Sequence, residues 1–161
     1  MRIWFDTEFI EDGRTIDLMS IGMVREDGKT LYLENAECEI ERASPWVVEN
    51  VVPHLKYVGH GKHYLAMSRG EIAHEVLAFA GEKPEFWAYY ADYDWVALCQ
   101  LYGTMMQLPK GWPMYCNDVK QLCNSVGNPP LTKQVASMHN SLADALWAKQ
   151  AWEYLQEWKR L

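Results

Sequence analysis

Apolar residues in this chain come in short runs bounded by Gly, Pro or charged residues, and the period of the runs changes along the sequence. Runs at residues 2–6, 16–25 and 30–34 are rich in branched and aromatic side chains and predict strands. Asp27-Gly28 supplies a hairpin turn between the last two. Ser44-Pro45 opens a short helix, with Pro at a tolerated first-turn position, and Pro53 ends it before a Gly-, His- and Lys-rich loop. Ser68-x-x-Glu71 is a capping box, and Ile72, Val76, Leu77 and Ala80 form the apolar stripe of the helix behind it. Residues 85–90 read as a strand, 94–101 as the core of a helix, 114–116 as a short strand and 118–123 as helical. A long amphipathic helix closes the chain from about residue 140 to 158. Three early strands followed by strand–helix–strand–helix predict an α/β fold, a mixed sheet with helices on its faces. No repeat, linker or break in composition divides residues 1–161, so one domain is expected.

Composition narrows the class. With 49% hydrophobic and 23% charged residues the chain is neither disordered nor fibrous, and it is long enough to bury a core without disulfides or structural metal. Cys38, Cys99, Cys116 and Cys123 show no CxxC pairing and read as free thiols of a reducing compartment. No signal peptide is expected, since the first strand begins at once, and no apolar run is long enough to span a membrane. A soluble cytoplasmic protein is the expectation. The net charge of −7 argues against a nucleic-acid partner at first. Two features weaken that argument. Bound divalent cations would neutralise a cluster of carboxylates. Residues 54–70 also carry Lys56, Lys62, Arg69 and three histidines without a single Asp or Glu.

The chemistry is concentrated in Asp6-Thr7-Glu8. Positions i and i+2 of a strand share a face, so Asp6 and Glu8 converge where the first strand is expected to end, and their charges repel unless a cation lies between them. That arrangement calls for a divalent ion and for further acids to complete its ligands. The run from Phe86 to Leu98 carries Asp92 and Asp94 where a buried strand turns into a helix, a place where α/β sheets build sites. The run from His139 to Leu146 carries His139 and Asp144 at the head of the last helix. Five helical positions would put these two roughly 140° apart, so His139 belongs to the approach loop, with Asn140 or Ser141 as N-cap and Asp144 in the first turns.

Asp-x-Glu near the N-terminus, an Asp after a central strand and His-x-x-x-x-Asp near the C-terminus, in that order across the chain, resemble the DEDDh branch of the 3′–5′ exonucleases. Within that RNase H-like superfamily, the DTEF, WAYYADYDWVAL and HNSLADA blocks are most similar to the small bacterial 3′-exoribonucleases typified by mycobacterial ribonuclease AS. The resemblance implies an RNase H-like fold with a five-stranded mixed sheet flanked by helices. Cys116-Asn117-Asp118 is similar to a block whose Asp is structural, not catalytic. One position departs from the pattern: many relatives carry Asn four residues before the second-motif Asp, and here it is Tyr90.

The implied reaction is hydrolysis of a phosphodiester at a free 3′ end, releasing nucleoside 5′-monophosphates. Such a displacement is served by two divalent ions about 4 Å apart. Oxygen-only ligation by Asp6, Glu8, Asp94 and Asp144 suits Mg²⁺ or Mn²⁺. His139 would deprotonate the attacking water, because an imidazole ordinarily titrates near working pH. Thr7 and Phe9 flank the acids and are expected to touch the terminal nucleotide. For the second motif, Asp94 fits better than Asp92, which reads as an N-cap or turn residue.

Blander readings stand beside these. Paired acids are usually a solvated strand end, and a lone His near a helix start is usually a capping-region residue; the joint pattern of motifs overturns both. His54, His60, His63 and His74 match no common zinc spacing. Trp147, Trp152, Tyr154 and Trp158 sit at helical spacing and suit core packing or a subunit interface, so a homodimer is compatible with the sequence. The leading expectation is an exoribonuclease acting on single-stranded RNA or a 3′ overhang. A DNA exonuclease of proofreading or repair type is the nearest rival, a non-catalytic nucleic-acid-binding module ranks below it, and a phosphatase acting on free nucleotides ranks last.

Overall fold

The computed structural model describes residues 1–134 and 138–160. Its sheet has five strands in the order β3-β2-β1-β4-β5. β1 (Arg2–Glu11), β2 (Ile16–Arg25) and β3 (Thr30–Glu34) form an antiparallel meander. β4 (Glu85–Ala88) and the two-residue β5 (Asn117–Asp118) add on parallel to β1. Five α-helices among the described residues complete the fold: α1 (Pro45–Asn50), α2 (Arg69–Ala80), α3 (Asp92–Gln100), α4 (Val119–Ser125) and α5 (Ser141–Trp158). Among the described residues no helix is long and apolar enough to cross a membrane. The mixed, helix-flanked sheet is the RNase H-like architecture expected from the motifs.

The two faces of β1 set the layers. Ile3 and Phe5 join Ile21, Phe86, Ile72, Val76 and Leu98 in one buried cluster under α2 and α3. Trp4 points the other way, into a cluster with Val24, Val119, Ala145 and Leu155 under α4 and α5. By the same alternation Asp6 and Glu8 lie on the α5 side. A third cluster, with Ile10, Met19, Val51 and Leu55, packs beneath the α1 region.

Several element boundaries differ from expectation for identifiable reasons. β1 runs on to Glu11 and does not stop at Asp6, because Asp6, Thr7 and Glu8 pair with Gly22, Ile21 and Ser20 of β2. A bulge follows between Glu8 and Phe9. β4 is shorter than residues 85–90, since Tyr90 takes φ 58° and turns the chain out of the sheet. β5 forms at Asn117–Asp118, after the predicted 114–116 run, and Met114 and Tyr115 are exposed. Leu77 is exposed as well, so the buried stripe of α2 is Ile72, Val76 and Ala80. Asp92 is not an N-cap; Ala91 occupies that position without a side-chain cap, and Asp92 stands exposed in the first turn. All four cysteines are free; Cys38 and Cys123 are buried and Cys99 and Cys116 half-buried.

One buried carboxylate organises a loop. Glu34, at the end of β3, is 1% exposed. It accepts the backbone N–H groups of Lys56, Tyr57 and Val58 and the hydroxyl of Tyr32. The Gly-, His- and Lys-rich segment is thereby tied to the sheet at its start.

Candidate active site

β4 pairs with β1 only along Arg2, Ile3 and Trp4. Beyond Trp4 the β4 side of β1 is open, and that opening is where the carboxylates gather. The N–H of Thr7, pointing away from β2, donates to Asp94 Oδ1 at 2.9 Å, and the Thr7 hydroxyl donates to the same oxygen at 2.5 Å. Asp94, near the start of α3, thus takes the place that a β4 carbonyl would have filled. Its own position is set from behind, since Asp118 Oδ2 accepts the N–H of Ala91 while Asp118 Oδ1 caps α4 through Gln121 N–H.

α5 brings the last acid. Asn140 is its N-cap, accepting Ala143 N–H at 3.1 Å, and His139 lies just before it with φ 64°. Asp144 Oδ2 accepts the His139 backbone N–H at 3.1 Å, and Oδ1 accepts Gln134 Nε2 at 2.5 Å. The His139 ring meets Trp46 edge-on, with centroids 5.0 Å apart. Oxygens of Asp6, Glu8 and Asp144 all lie within 4.8 Å of one another. Asp94 sits just outside that trio, its Oδ1 held by Thr7.

Electrostatics mark this as a site made for cations. Burial, then the neighbouring Asp94, Glu8 and Asp144, hold the Asp6 carboxyl well above its ordinary range. Glu8 is pushed up to about 8, chiefly by burial and then by Asp144 and Asp94. Asp94 is pushed up to about 7 by burial, against the opposing pull of its two Thr7 hydrogen bonds. Asp144 is raised for the same principal reason, with Gln134 and His139 acting against it. Like charges crowded into a poorly solvated site favour protons or bound cations. Carboxylate oxygens alone, without thiolate or imidazole in the trio, suit hard divalent ions. The residues present therefore fit Mg²⁺ or Mn²⁺.

Two cavities meet over the acids. The smaller, of about 310 Å³, is lined by Thr7, Phe9, Tyr93 and Asp94 together with the carboxylate trio. There Phe9 and Tyr93 lie nearly parallel, at 12° and 5.8 Å between centroids. The larger, of about 620 Å³, extends under Tyr89, Tyr90, Met138 and Trp147 and carries Lys133. Tyr90 lines both.

Residues 1–156 match the family model described as the 3′–5′ exoribonuclease Rv2179c-like domain. The chain belongs to that family. Two relatives in Mycobacterium tuberculosis, the 3′–5′ exoribonuclease Rv2179c of strain H37Rv and the 3′–5′ exoribonuclease MT2234.1 of strain CDC 1551, are each 41% identical over 149 residues. That match covers 90% of this chain and 87% of each relative. Among solved structures, S. pombe Pop2p in its Mg²⁺- and Mn²⁺-bound form superposes with a TM-score of 0.65 at 14% identity, covering 99% of this chain and 83% of that one. At that identity the likeness concerns the fold.

In this Rv2179c-like chain the structure brings Asp6, Glu8, Asp94, His139 and Asp144 together at one place. Thr7 and Phe9 line the same cavity, although the Thr7 hydroxyl is engaged by Asp94. The zinc reading of the histidines finds no cluster among the described residues. Sequence reasoning missed Trp46 and Gln134. Neither carries a motif: α1 brings Trp46 to His139 from far along the chain, and Gln134 reaches Asp144, ten residues on, from outside any helix or strand.

Proposed function

We propose that this chain is a 3′–5′ exoribonuclease that shortens RNA from a free 3′ end and releases nucleoside 5′-monophosphates. The observation that carries the reading is the convergence of three carboxylates within 4.8 Å, with Asp94 beside them and His139 at the rim. Asp6, Glu8, Asp94 and Asp144 would hold two Mg²⁺ or Mn²⁺ ions, which supply charge neutralisation at the phosphate and at the departing 3′ oxygen. His139 would take the proton of the attacking water, its backbone N–H anchored to Asp144 and its ring braced by Trp46. Thr7 holds Asp94 in place, and Phe9 with Tyr93 would pack against the sugar or base of the terminal nucleotide. Free thiols agree with action in a reducing cytoplasm.

The test is digestion of 5′-labelled RNA and matching DNA, single-stranded or with a 3′ overhang, in Mg²⁺, Mn²⁺ or EDTA. A metal-dependent ladder shortening from the 3′ end of RNA is expected. Asp6→Ala should abolish it, and His139→Ala should slow it by about 10²–10⁴-fold. Faster cleavage of DNA would transfer the assignment to a DNA exonuclease. No cleavage by folded wild type with any metal would leave the binding-module reading in its place.

A further inference from the structure

Gly22 is a glycine in the middle of β2, a strand paired on both sides, a placement that weakens a strand unless something needs the missing side chain. Its φ lies outside the left-handed region, so backbone conformation does not account for it. Space does. A Cβ at Gly22 would lie 2.1 Å from Leu142 N, 2.2 Å from the Ser141 carbonyl carbon and 2.3 Å from Leu142 Cα. All three are backbone atoms of the first turn of α5, so no rotamer change relieves the clash. Two residues earlier, the hydroxyls of Ser20 and Ser141 face one another at 3.0 Å, both fully buried.

Register gives this contact its meaning. Gly22 lies directly across from Asp6, and Ser20 directly across from Glu8. The head of α5 therefore rests on the two β2 positions that neighbour the two strand carboxylates. Ser141 and Asp144 are three residues apart and share a helix face. A helix seated through Ser141 thus delivers Asp144 to Asp6 and Glu8.

We infer that Gly22 and the Ser20–Ser141 hydroxyl pair are positioning residues that set the distance of Asp144 from Asp6 and Glu8, and so set the affinity of the site for divalent cations. The inference rests on the reading of these acids as a divalent-cation site. Gly22 fixes how closely α5 approaches the sheet. The hydroxyl pair fixes where along β2 it lies. A Cβ at Gly22 would lift the helix head by the thickness of a methyl group and carry Asp144 away from its partners, while Asp6 and Glu8 stay in the strand.

Calorimetric titration with Mn²⁺ tests this on wild type and on Gly22→Ala, Ser20→Ala and Ser141→Ala, alongside thermal melts in EDTA and separate kcat and KM values on RNA. Gly70→Ala is the control, since a Cβ there meets no atom within 4 Å. Gly22→Ala is expected to weaken Mn²⁺ binding by about 10–100-fold, as loss of outer support of metal ligands does, and to lower kcat with KM for RNA within about twofold. Each serine variant should weaken it in the same direction, and Gly70→Ala should match wild type. A folded Gly22→Ala with wild-type Mn²⁺ affinity would overturn the inference, as would a fall in melting temperature alone. If Gly22→Ala does not fold, the serine variants decide: weakened binding supports the inference and unchanged binding overturns it. Failure of wild type itself to bind Mn²⁺ would sink the cation-site reading and this inference with it, whereas unchanged variants of a binding wild type sink the inference alone.

Discussion

Asp6 is surrounded by Asp94, Glu8 and Asp144, and each raises its affinity for a proton. Because the folded carboxyls of Glu8 and Asp94 titrate near 8 and 7 against ordinary values of 4.5 and 3.8, the folded state binds more protons than the unfolded one between those limits. Their contribution to stability is then fully present below about pH 4 and is lost as pH rises through 7 and 8. Melts in EDTA should show the protein less stable at pH 8 than at pH 5 as far as these groups are concerned, and saturating Mg²⁺ should narrow that difference. Asp6→Asn removes one of the repelling charges. It should stabilise the metal-free protein at pH 8 by about 1–2 kcal/mol while abolishing cleavage. Tyr90 adds backbone strain, since a bulky residue at φ 58° costs about 1–2 kcal/mol. Tyr90→Asn should raise stability by about 1 kcal/mol in chemical denaturation, Asn being at ease in that conformation. The same change tests whether the exposed ring, which lines both cavities, contributes to KM for RNA.

Among the elements, the early end of β4 matters most. Had it run on alongside β1, the Thr7 N–H would have found a backbone carbonyl and Asp94 would have had no place beside the acids. The turn at Tyr90 and the anchoring of Ala91 by Asp118 make that end definite. The Gly-, His- and Lys-rich loop after Pro53 is held as firmly, by a carboxylate far from any motif. Glu34→Gln leaves one acceptor oxygen where two now take three backbone N–H groups. A loss of about 2–4 kcal/mol is expected in urea unfolding, with faster hydrogen exchange at residues 56–58. The loop also reaches α5, where Asn140 Nδ2 donates to the His54 carbonyl at 3.3 Å, so loosening it should disturb the approach to His139.

For the whole molecule, the proposed function links stability and activity through the cation that the acids would hold. A ligand that binds only the folded state stabilises it by about 2.7 kcal/mol at a hundredfold excess over its dissociation constant. Melting temperature should therefore climb with Mn²⁺ concentration in wild type and stay flat in Asp6→Asn. The formal net charge of −7 enters the same balance, since Asp6, Glu8, Asp144 and the adjoining Asp94 account for four formal negative charges that bound cations would offset. An acidic chain of this family thus remains compatible with a polyanionic substrate.

The helix-flanked mixed sheet and the family were legible in the sequence, as was the gathering of Asp6, Glu8, Asp94, His139 and Asp144 at one place. Alternation along a strand places Asp6 with Glu8, helix period separates His139 from Asp144, and both rules act between near neighbours. Helix caps were readable in part: Ser68 with Glu71 and Asn140 cap their helices, whereas Ala91 takes the position expected of Asp92. Only the tertiary structure decided where the strands stop, because β1 is prolonged by pairing with β2 and β4 is cut short by the turn at Tyr90. It also decided which polar groups support the site. Gly22 beneath Ser141, Thr7 on Asp94, Trp46 against His139 and Glu34 under residues 56–58 are contacts between segments distant in sequence, and no local period encodes them.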